Sequence, residues 1–307
     1  MIFGSVGWDH PIWLDSALSS GARILGYAGD ESGSNLPQGR LGGGGANSAA
    51  CLRNANHEVA IWSATGTDGP GEQMREALAT LSIDCTYLQE AEPREGVTLI
   101  LIEPDGERTI IFQHANRDIN QTARQLRKRQ QARIDLAKIK AHHPDGLYLR
   151  SLYAGYEDLH DLEEAWCVAH WPQICGAGTL PADILIGSRD DLAAARLLED
   201  TFAKGQTACG GRLKWAIVTD GASGGEIISE TQQFRYASLE VEQVDATGAG
   251  DAFAAGVLEA LTAGADIVEA TRHGAVWGSV TVGLEGCAQV RATNTYPAWK
   301  AGQTESA

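Results

Sequence analysis

Short apolar runs alternate with segments of helical periodicity along most of this chain. A strand predicted over 59–64 is followed by a helix over 71–81, and strands predicted over 146–149, 184–187 and 215–219 continue the pattern. Parallel strands need long crossover connections, which are usually helices, so this alternation predicts a mostly parallel sheet with helices on both faces. We therefore predict a three-layer, Rossmann-like α/β fold.

Other segments complete this pattern, and one interrupts it. We predict further strands over 1–6, 85–88, 97–103, 109–113, 225–228 and 234–236, and further helices from 46, over 121–142, near 159–169 and over 190–203, 249–262 and 267–282. The turn Pro104-Asp105-Gly106 between two apolar runs predicts a hairpin. Because a hairpin interrupts a series of βα units, we predict that it belongs to a small separate sheet.

The composition limits the functions open to the chain. It has 307 residues, of which 43% are hydrophobic and 21% are charged, and its formal net charge is −16. This negative charge opposes binding to nucleic acid or to an anionic membrane surface. No apolar run approaches the roughly 20 residues that span a bilayer, and we see no secretory signal. The basic run at 124–133 has charges on several sides of a helix, which favours a solvated helix face.

The length allows one large α/β domain or two smaller ones, and no internal repeat or Pro- or Ser-rich boundary divides the chain. The six cysteines are scattered without a CxxC pair, at Cys51, Cys85, Cys167, Cys175, Cys209 and Cys287. This distribution opposes a zinc site or a disulfide framework and favours reduced thiols. We therefore expect a cytoplasmic enzyme.

The segment Gly248-Ala249-Gly250-Asp251 stands at the start of the helix predicted over 249–262. Amides in the first turn of a helix lack intrahelical partners and point outward at the positive end of the dipole, so they bind anions such as phosphate. A carboxylate beside an anion site is costly unless it faces a cation or takes part in chemistry. Asp251 could take a proton from a hydroxyl that attacks the phosphate, or it could only cap the helix.

Gly42 to Gly45 form a run of four glycines directly before the helix predicted from Ala46. Such a run lets a ligand approach the backbone, and Asn47 offers a donor and an acceptor to a polyol; a flexible linker is the alternative. Asp9, predicted just past the opening strand, could bind substrate hydroxyls or only form a turn. The chain contains no P-loop or Gly-x-Gly-x-x-Gly motif, which disfavours a P-loop nucleotidase and an NAD-dependent dehydrogenase.

Together these residues resemble the PfkB, or ribokinase-like, family of carbohydrate kinases. Asp245 to Phe253 is similar to the C-terminal signature of that family, and Gly42 to Asn47 is similar to its N-terminal glycine motif. Intermediate landmarks follow the family's order, at Gly7-Trp8-Asp9, Gly66 to Gly71, Asp105 to Thr109 and Val218 to Gly221. The resemblance implies a single ribokinase-like α/β domain over 1–307. It also implies a small β-sheet lid, from segments near 11–40 and 85–113, that often mediates a homodimer.

The resemblance further implies transfer of the γ-phosphoryl group of ATP, assisted by Mg²⁺, to a hydroxymethyl group of a monosaccharide. Asp251 would be the general base, and the amides of Gly248, Ala249 and Gly250 the anion hole. The positions implied for sugar binding are Asp9, Gly43, Gly44 and Asn47, and those for nucleotide binding are Ser188, Thr219, Gly221, Gly224 and His273. Those implied for metals are Asp191, for indirect Mg²⁺ binding, and Asp245 and Thr247, for a monovalent cation such as K⁺.

Three positions depart from the family's pattern. Its Asn-x-x-Glu is Ser188 to Asp191 here, its frequent glycine-motif lysine is Gly44, and His273 stands where many relatives have Asn. The missing lysine argues against ribose as the substrate. A nucleoside or a 2-keto-3-deoxy sugar acid would also suit the polar groups, and Arg150, just after a strand, is a candidate for binding an acid. The altered Asn-x-x-Glu motivates one more alternative, a non-catalytic sugar- or nucleotide-binding relative.

Overall fold

A computed structural model describes residues 1–27, 39–91, 97–113, 130–173, 178–284 and 296–300. Its strands are β1 (Ile2–Phe3), β2 (Gly7–Leu14), β3 (Gly26–Tyr27), β4 (Arg40–Gly42), β5 (Ile61–Thr65), β6 (Leu88–Glu90), β7 (Val97–Ile102), β8 (Arg108–Gln113), β9 (Gly146–Leu149), β10 (Trp166–His170), β11 (Ile184–Ser188), β12 (Trp215–Thr219), β13 (Gly225–Ile228) and β14 (Gln233–Tyr236). Its α-helices are α1 (Gly44–Asn54), α2 (Gly69–Thr80), α3 (Leu136–His142), α4 (Arg189–Ala194), α5 (Thr201–Ala208), α6 (Ala249–Thr262) and α7 (Ile267–Val282).

The larger of two sheets has nine strands in the order β14-β13-β12-β11-β10-β9-β1-β5-β6. The strands from β12 to β6 are parallel, and β13 and β14 pair antiparallel at one edge. From β1 the chain moves outward to β5 and β6, then returns to β9 and continues in the opposite direction. The strand order therefore reverses between β1 and β9, the kind of position where open α/β sheets bind ligands.

Alternate residues of the central strands enter two separate apolar cores, because successive side chains of a strand point to opposite faces. Ile2 and Tyr148 pack on one face with residues of α1, α2, α6 and α7. Phe3 and Leu149 pack on the other face with residues of α3 and α4 and with Tyr156. The predicted mostly parallel sheet with helices on both faces is confirmed.

Several predicted elements have the predicted bounds, namely β9, β12, α6 and α7. The start of α7 shows why such bounds can be predicted. Asp266 accepts hydrogen bonds from the amides of Val268 and Glu269, and the Glu269 side chain accepts one from the Asp266 amide. This capping box is a local device that needs no tertiary contact.

The helix predicted near 159–169 is wrong. Tyr156–Asp161 forms a 3₁₀ helix, and Trp166–His170 is strand β10, which lies between β9 and β11 in the sheet. Periodicity alone cannot distinguish a buried strand from a buried helical segment when the apolar run is this short. Here the open edges of two neighbouring strands decide the conformation.

Other predicted bounds also change. The helix predicted over 190–203 is two helices, α4 and α5, and the connection contains Arg196 and Asp200 with left-handed φ values of 59° and 55°. The strand predicted over 85–88 is β6, shifted toward Glu90. The helix predicted over 121–142 is wrong as a single helix: 130–131 are helical, 132–135 are not, and α3 begins at Leu136, while 121–129 lie outside the described residues. Among the described helices, none is long and apolar enough to cross a membrane.

The smaller sheet contains β2, β3, β4, β7 and β8, with β2 at its centre. It includes the predicted hairpin of β7 and β8, whose turn places Gly106 at a φ of 81°. The opening strand predicted over 1–6 ends at Phe3, so Asp9 lies within β2, opposite Arg40 and Thr98, rather than past a strand end. Of the segments predicted near 11–40 and 85–113, β6 joins the larger sheet, and 28–38 and 92–96 lie outside the described residues.

Helix α1 starts in direct contact with the loop that follows β1. The amides of Gly45 and Ala46 donate to the Ser5 carbonyl oxygen at 3.0 and 3.2 Å. A Cβ at Gly45 would lie 2.5 Å from the carbonyl carbon of Gly4. Two backbones therefore touch here, and neither can move aside as a flexible side chain could.

We expect Gly45→Ala to lower the free energy of unfolding by at least about 1–3 kcal/mol, because the added methyl group overpacks a backbone contact. Gly278→Ala in α7 is the matched control, since its Cβ would have its closest neighbour at 3.4 Å, an ordinary contact. That control should be neutral or stabilising, because Ala favours helix over Gly. Urea unfolding of both variants checks this, and equal stabilities would contradict the proposed contact.

Candidate active site

The candidate site lies where the carboxyl ends of β1 and β9 meet. These two strands are neighbours in the larger sheet, and the chain leaves them in opposite directions. Gly4 follows β1 and Arg150 follows β9, and the Arg150 amide donates to the Phe3 carbonyl oxygen at 2.8 Å. Helices α1 and α6 both begin at this edge, because Asn47 and Ser48 near the start of α1 contact Asp251 in the first turn of α6.

Asp251 is buried in the first turn of α6. Its Oδ1 accepts a hydrogen bond from Nε of Arg150 at 2.7 Å, and its Oδ2 accepts one from Nδ2 of Asn47 at 3.0 Å. The helix is capped by Gly248, with a φ of 82° and without a side-chain bond, so Asp251 is not the N-cap. The alternative of a simple capping residue is therefore wrong, and the carboxylate is held between two other segments of the chain.

The glycine run makes room for this arrangement. Gly43 has a φ of 85°, which favours glycine. A Cβ at Gly44 would lie 2.6 Å from Nε of Arg150 and 2.9 Å from Oδ1 of Asp251. The arginine therefore lies across the start of α1, where a side chain at position 44 would otherwise stand.

The start of α6 presents backbone amides to the same region. The Ala249 amide donates to the Ala246 carbonyl oxygen at 3.3 Å. Gly250 is exposed and has open space on its side-chain face. Within the described ranges, no residue accepts a hydrogen bond from the amides of Gly250 and Asp251. Such amides can bind an anion at the positive end of the helix dipole.

Asp9, in the smaller sheet, lies near the Asp251 carboxylate. It is buried in β2, and its carboxylate packs directly on Gly42. Burial raises the pKa of Asp9 to about 6; the nearby Arg40 opposes this rise, and the charges of Asp245 and Asp251 add to it. The structure thus brings three carboxylates into one electrostatic group, with Asp9 and Asn47 on either side of the glycine run.

Asp245 is fully buried and already has two partners. Its Oδ2 forms an ion pair with Nη2 of Arg40 at 2.6 Å, and its Oδ1 accepts from the Thr247 amide at 2.8 Å. The Thr247 hydroxyl is buried and bonds to no residue in the described ranges. The described residues therefore do not fit a monovalent-cation site at this carboxylate, because a bound cation would have to displace the guanidinium.

The predicted nucleotide residues Ser188 and Thr219 lie side by side at the ends of β11 and β12. Beyond Thr219, the 3₁₀ turn of Gly221–Ser223 is closed by a hydrogen bond from the Asp220 amide to the Gly224 carbonyl oxygen at 2.8 Å. Gly221 and Gly224 have φ values of 50° and 80°. These four residues therefore share the same edge of the sheet as Asp251.

Ser188 and Asp191 bond to each other at the start of α4. The Ser188 hydroxyl accepts from the Asp191 amide at 3.1 Å and donates to Oδ2 of Asp191 at 2.7 Å. Asp191 also adds to the negative potential at Arg150. No cluster of three metal-ligating side chains occurs in the part of the chain that the structure describes. This donor set fits Mg²⁺ only when substrate phosphates supply most ligands, which is the usual arrangement for Mg²⁺.

His273 is placed away from this group. Its Nε2 lies 3.0 Å from Oε2 of Glu259, a buried carboxylate that also contacts His57 and the Trp299 amide. Burial would raise the pKa of Glu259, but the nearby His273 and His57 outweigh it and lower the pKa to about 2. These contacts join the segment after α1, α6, α7 and the segment 296–300, and they give His273 a partner within the protein.

The sequence did not point to Arg40 as a site residue, and it could not place Arg150 in the pocket. Arg40 directly precedes the glycine run, and Arg150 directly follows a strand. Once the strand order is known, Arg150 can be predicted as a site residue, because the residue after β9 must lie at the switch point. Arg40 can be predicted from its place next to the glycine run.

Comparison with known proteins agrees with this fold. Residues 35–294 match the model of the pfkB family carbohydrate kinases. The ATP-dependent ribose-1-phosphate kinase of Halopiger xanaduensis is 25% identical over 292 residues, covering 92% of this chain and 91% of that protein. The ribokinase structure from Giardia lamblia superposes with a TM-score of 0.74 at 15% identity, covering 97% and 95% of the two chains. Arabidopsis thaliana ribokinase, complexed with ribose and ATP, superposes with a TM-score of 0.68 at 18% identity, with the same coverage.

The chain belongs to the pfkB family of carbohydrate kinases. It is a sugar or nucleoside kinase, and therefore a phosphotransferase with an alcohol group as acceptor. The ribokinase-like fold predicted from the sequence is confirmed by these structures.

We expect Asp9→Asn to stabilise the ligand-free protein more at pH 8 than at pH 5. Because folding raises the pKa of Asp9 from 3.8 to about 6, its ionisation opposes folding; this cost is absent below 3.8 and complete above about 6. The amide variant carries no such cost. Melting temperatures at both pH values check this, with exposed Asp158→Asn as the control; an advantage for the Asp9 variant that does not grow with pH would contradict it.

Proposed function

We propose that this protein is an ATP-dependent sugar kinase that transfers the γ-phosphoryl group to a hydroxymethyl group of a monosaccharide. The observation that carries the proposal is the buried Asp251 carboxylate at the switch point, beside amides at the start of α6 that have no partner in the described chain. A base next to an anion site is the arrangement that hydroxyl phosphorylation needs.

In the proposed reaction, the acceptor hydroxyl gives its proton to the Asp251 carboxylate while its oxygen bonds to the γ-phosphorus. The bond from that phosphorus to the bridging oxygen breaks, and ADP leaves with the electron pair. The amides of Gly248, Ala249 and Gly250 stabilise the charge on the transferring group. In phosphoryl transfer, such positioning and charge stabilisation supply most of the catalysis.

The acceptor and the nucleotide would bind on either side of Asp251. We assign Asp9, Asn47 and the backbone of Gly43 and Gly44 to the sugar hydroxyls, because they surround the carboxylate from α1 and the smaller sheet. The predicted nucleotide residues at the ends of β11 and β12, namely Ser188, Thr219, Gly221 and Gly224, are assigned to ATP. Asp191 would help to hold Mg²⁺, which when bound neutralises charge on the phosphates.

The intact carboxylate argues against a non-catalytic relative. Asp251 does not cap α6, and it stands beside the Gly250 and Asp251 amides, which have no partner in the described chain, so the arrangement is the one that hydroxyl phosphorylation uses. A coupled ADP-release assay over pentoses, hexoses, sugar acids and nucleosides separates the sugar kinase from a nucleoside kinase. Ligand-induced thermal shifts without turnover would instead support the non-catalytic alternative.

We expect Asp251→Asn to reduce kcat by roughly 10²- to 10⁴-fold, the usual contribution of a general base, while ATP binding persists. Asp135→Asn is the matched control, because Asp135 is an exposed N-cap of α3 and Asn caps helices equally well. ADP release and calorimetric ATP binding provide the two readouts. A near-wild-type kcat for the Asp251 variant would contradict the assignment of Asp251 as the general base.

We also propose that the smaller sheet acts as a lid and pairs two copies of the chain in the cytoplasm. Its outermost strand β8 exposes Ile110, Ile111 and Phe112, each by more than two-fifths of its surface. Tyr27 of β3 and the nearby Leu25 are also exposed. Clustered apolar side chains on a protein surface often mark an interaction site.

We expect the protein to sediment at about twice its 32.6 kDa mass. Ile111→Glu should reduce that mass to one copy, because a charge would be buried in the interface. Glu230→Lys, in the exposed turn between β13 and β14, is the charge-changing control. A single-copy mass for the wild type at micromolar concentration would refute the dimer.

A further inference from the structure

We propose that the acceptor carries an anionic group, a phosphate or a carboxylate, which binds the Arg150 guanidinium and draws it away from Asp251. The inference rests on the proposed kinase function and narrows its substrate class. It assigns Arg150 as the residue that selects charged acceptors over neutral sugars.

Arg150 contacts both the proposed base and solvent. Its Nε donates to Oδ1 of Asp251 at 2.7 Å, and a third of its side chain is exposed. It lies against Gly44, in the group of residues assigned to the acceptor. Ser188 and Thr219, assigned to the nucleotide, lie two and three strands away from β9 in the sheet. An anion that reaches the exposed guanidinium is therefore next to the acceptor hydroxyl.

The Arg150 guanidinium has N–H donors that are not used in its bond to Asp251. Its Nε is the atom that bonds Asp251, and within the described ranges no residue accepts a hydrogen bond from its two Nη groups. Two parallel N–H groups of a guanidinium match the two oxygens of a carboxylate or phosphate. Burial alone would lower the pKa of Arg150, but the Asp251 carboxylate outweighs it and raises the pKa, so the group stays charged.

The ion pair has a consequence for the base. While Arg150 holds Oδ1 and Asn47 holds Oδ2, an acceptor hydroxyl that approaches Oδ1 must compete with a charged donor. A neutral hydroxyl is the weaker competitor, because the guanidinium adds the attraction between two opposite charges to its hydrogen bond and the hydroxyl does not. An anion on the acceptor offers the guanidinium a new charged partner and leaves Oδ1 for the hydroxyl.

The neighbouring cationic groups, Arg40 and His170, do not present a free positive charge to an anion on the acceptor. Arg40 is buried and pairs with Asp245 at 2.6 Å. His170, at the end of β10, stays uncharged at neutral pH, since burial and the nearby Arg150 lower its pKa to about 3. An acceptor anion at this edge would therefore be neutralised by Arg150.

Matched acceptor pairs test the proposal. Methyl ribofuranoside with ribose 1-phosphate and the open-chain glucitol with gluconate each keep a free hydroxymethyl group and differ mainly in an anionic group. In wild type, kcat/KM should favour the anionic member by roughly 10- to 100-fold, as expected for charge-assisted hydrogen bonds. In Arg150→Met that preference should vanish through a higher KM for the anionic member, whereas neutral sugars should retain their KM or improve. Arg235→Met removes an exposed arginine of β14 and should leave the preference unchanged.

Binding without turnover provides a second readout. Asp251→Asn removes the charge that competes for Arg150, so it should bind ribose 1-phosphate roughly 3- to 10-fold more tightly than wild type in calorimetry without ATP. Arg150→Met should bind it more weakly. Unchanged or weaker binding by the Asp251 variant would overturn the competition, and so the proposal.

The outcomes separate this inference from the proposed function. If no acceptor releases ADP from wild type, the kinase proposal itself fails. If neutral sugars react and the anionic members do not, the kinase stands and the anionic acceptor is refuted. If Arg150→Met lowers kcat equally for both members of each pair, the guanidinium serves the transferring phosphoryl group of ATP instead, which also overturns the inference.

Discussion

The ion pair between Arg150 and Asp251 holds the candidate site together. It joins the end of a central strand to the first turn of α6, and Asn47 adds the start of α1 to the same carboxylate. Removing one partner of a largely buried ion pair leaves a charge without compensation, which is costly, so a partly buried contact such as this one helps to fix the geometry of the segments that share it. The Gly4–Gly45 approach and the absence of a Cβ at Gly44 both serve this junction.

The charges around this junction are balanced in pairs, with one carboxylate left over. Arg40 neutralises Asp245 and Arg150 neutralises Asp251, whereas Asp9 is buried beside them and its pKa is raised to about 6, chiefly by burial. Desolvating a carboxylate opposes folding unless partners compensate for it. An unfavourable buried charge next to a proposed base is typical of a functional site, where stability and activity make different demands.

Local signals predicted those parts of the fold that depend on local chemistry. Both C-terminal helices have the predicted bounds, and each begins with a local feature, the glycine cap of α6 and the capping box of Asp266 and Glu269. The segment 159–169 had no such signal, because Trp166–His170 becomes a strand only through pairing with β9 and β11 on both sides. Asp9 was misplaced for the same reason, since β2 is defined by its partners in the smaller sheet.

The sequence by itself determined the fold class, the family and the residue types of the site. The spacing of apolar residues, the glycine runs and the signature around Asp251 are all properties of contiguous segments. Only the tertiary structure decided that Arg150 lies on Asp251 and Arg40 on Asp245, residues separated by 101 and 205 positions. Contacts at such separations depend on strand order and on the meeting of two helix starts at one edge of the sheet. A single sequence contains no local period or spacing that records them.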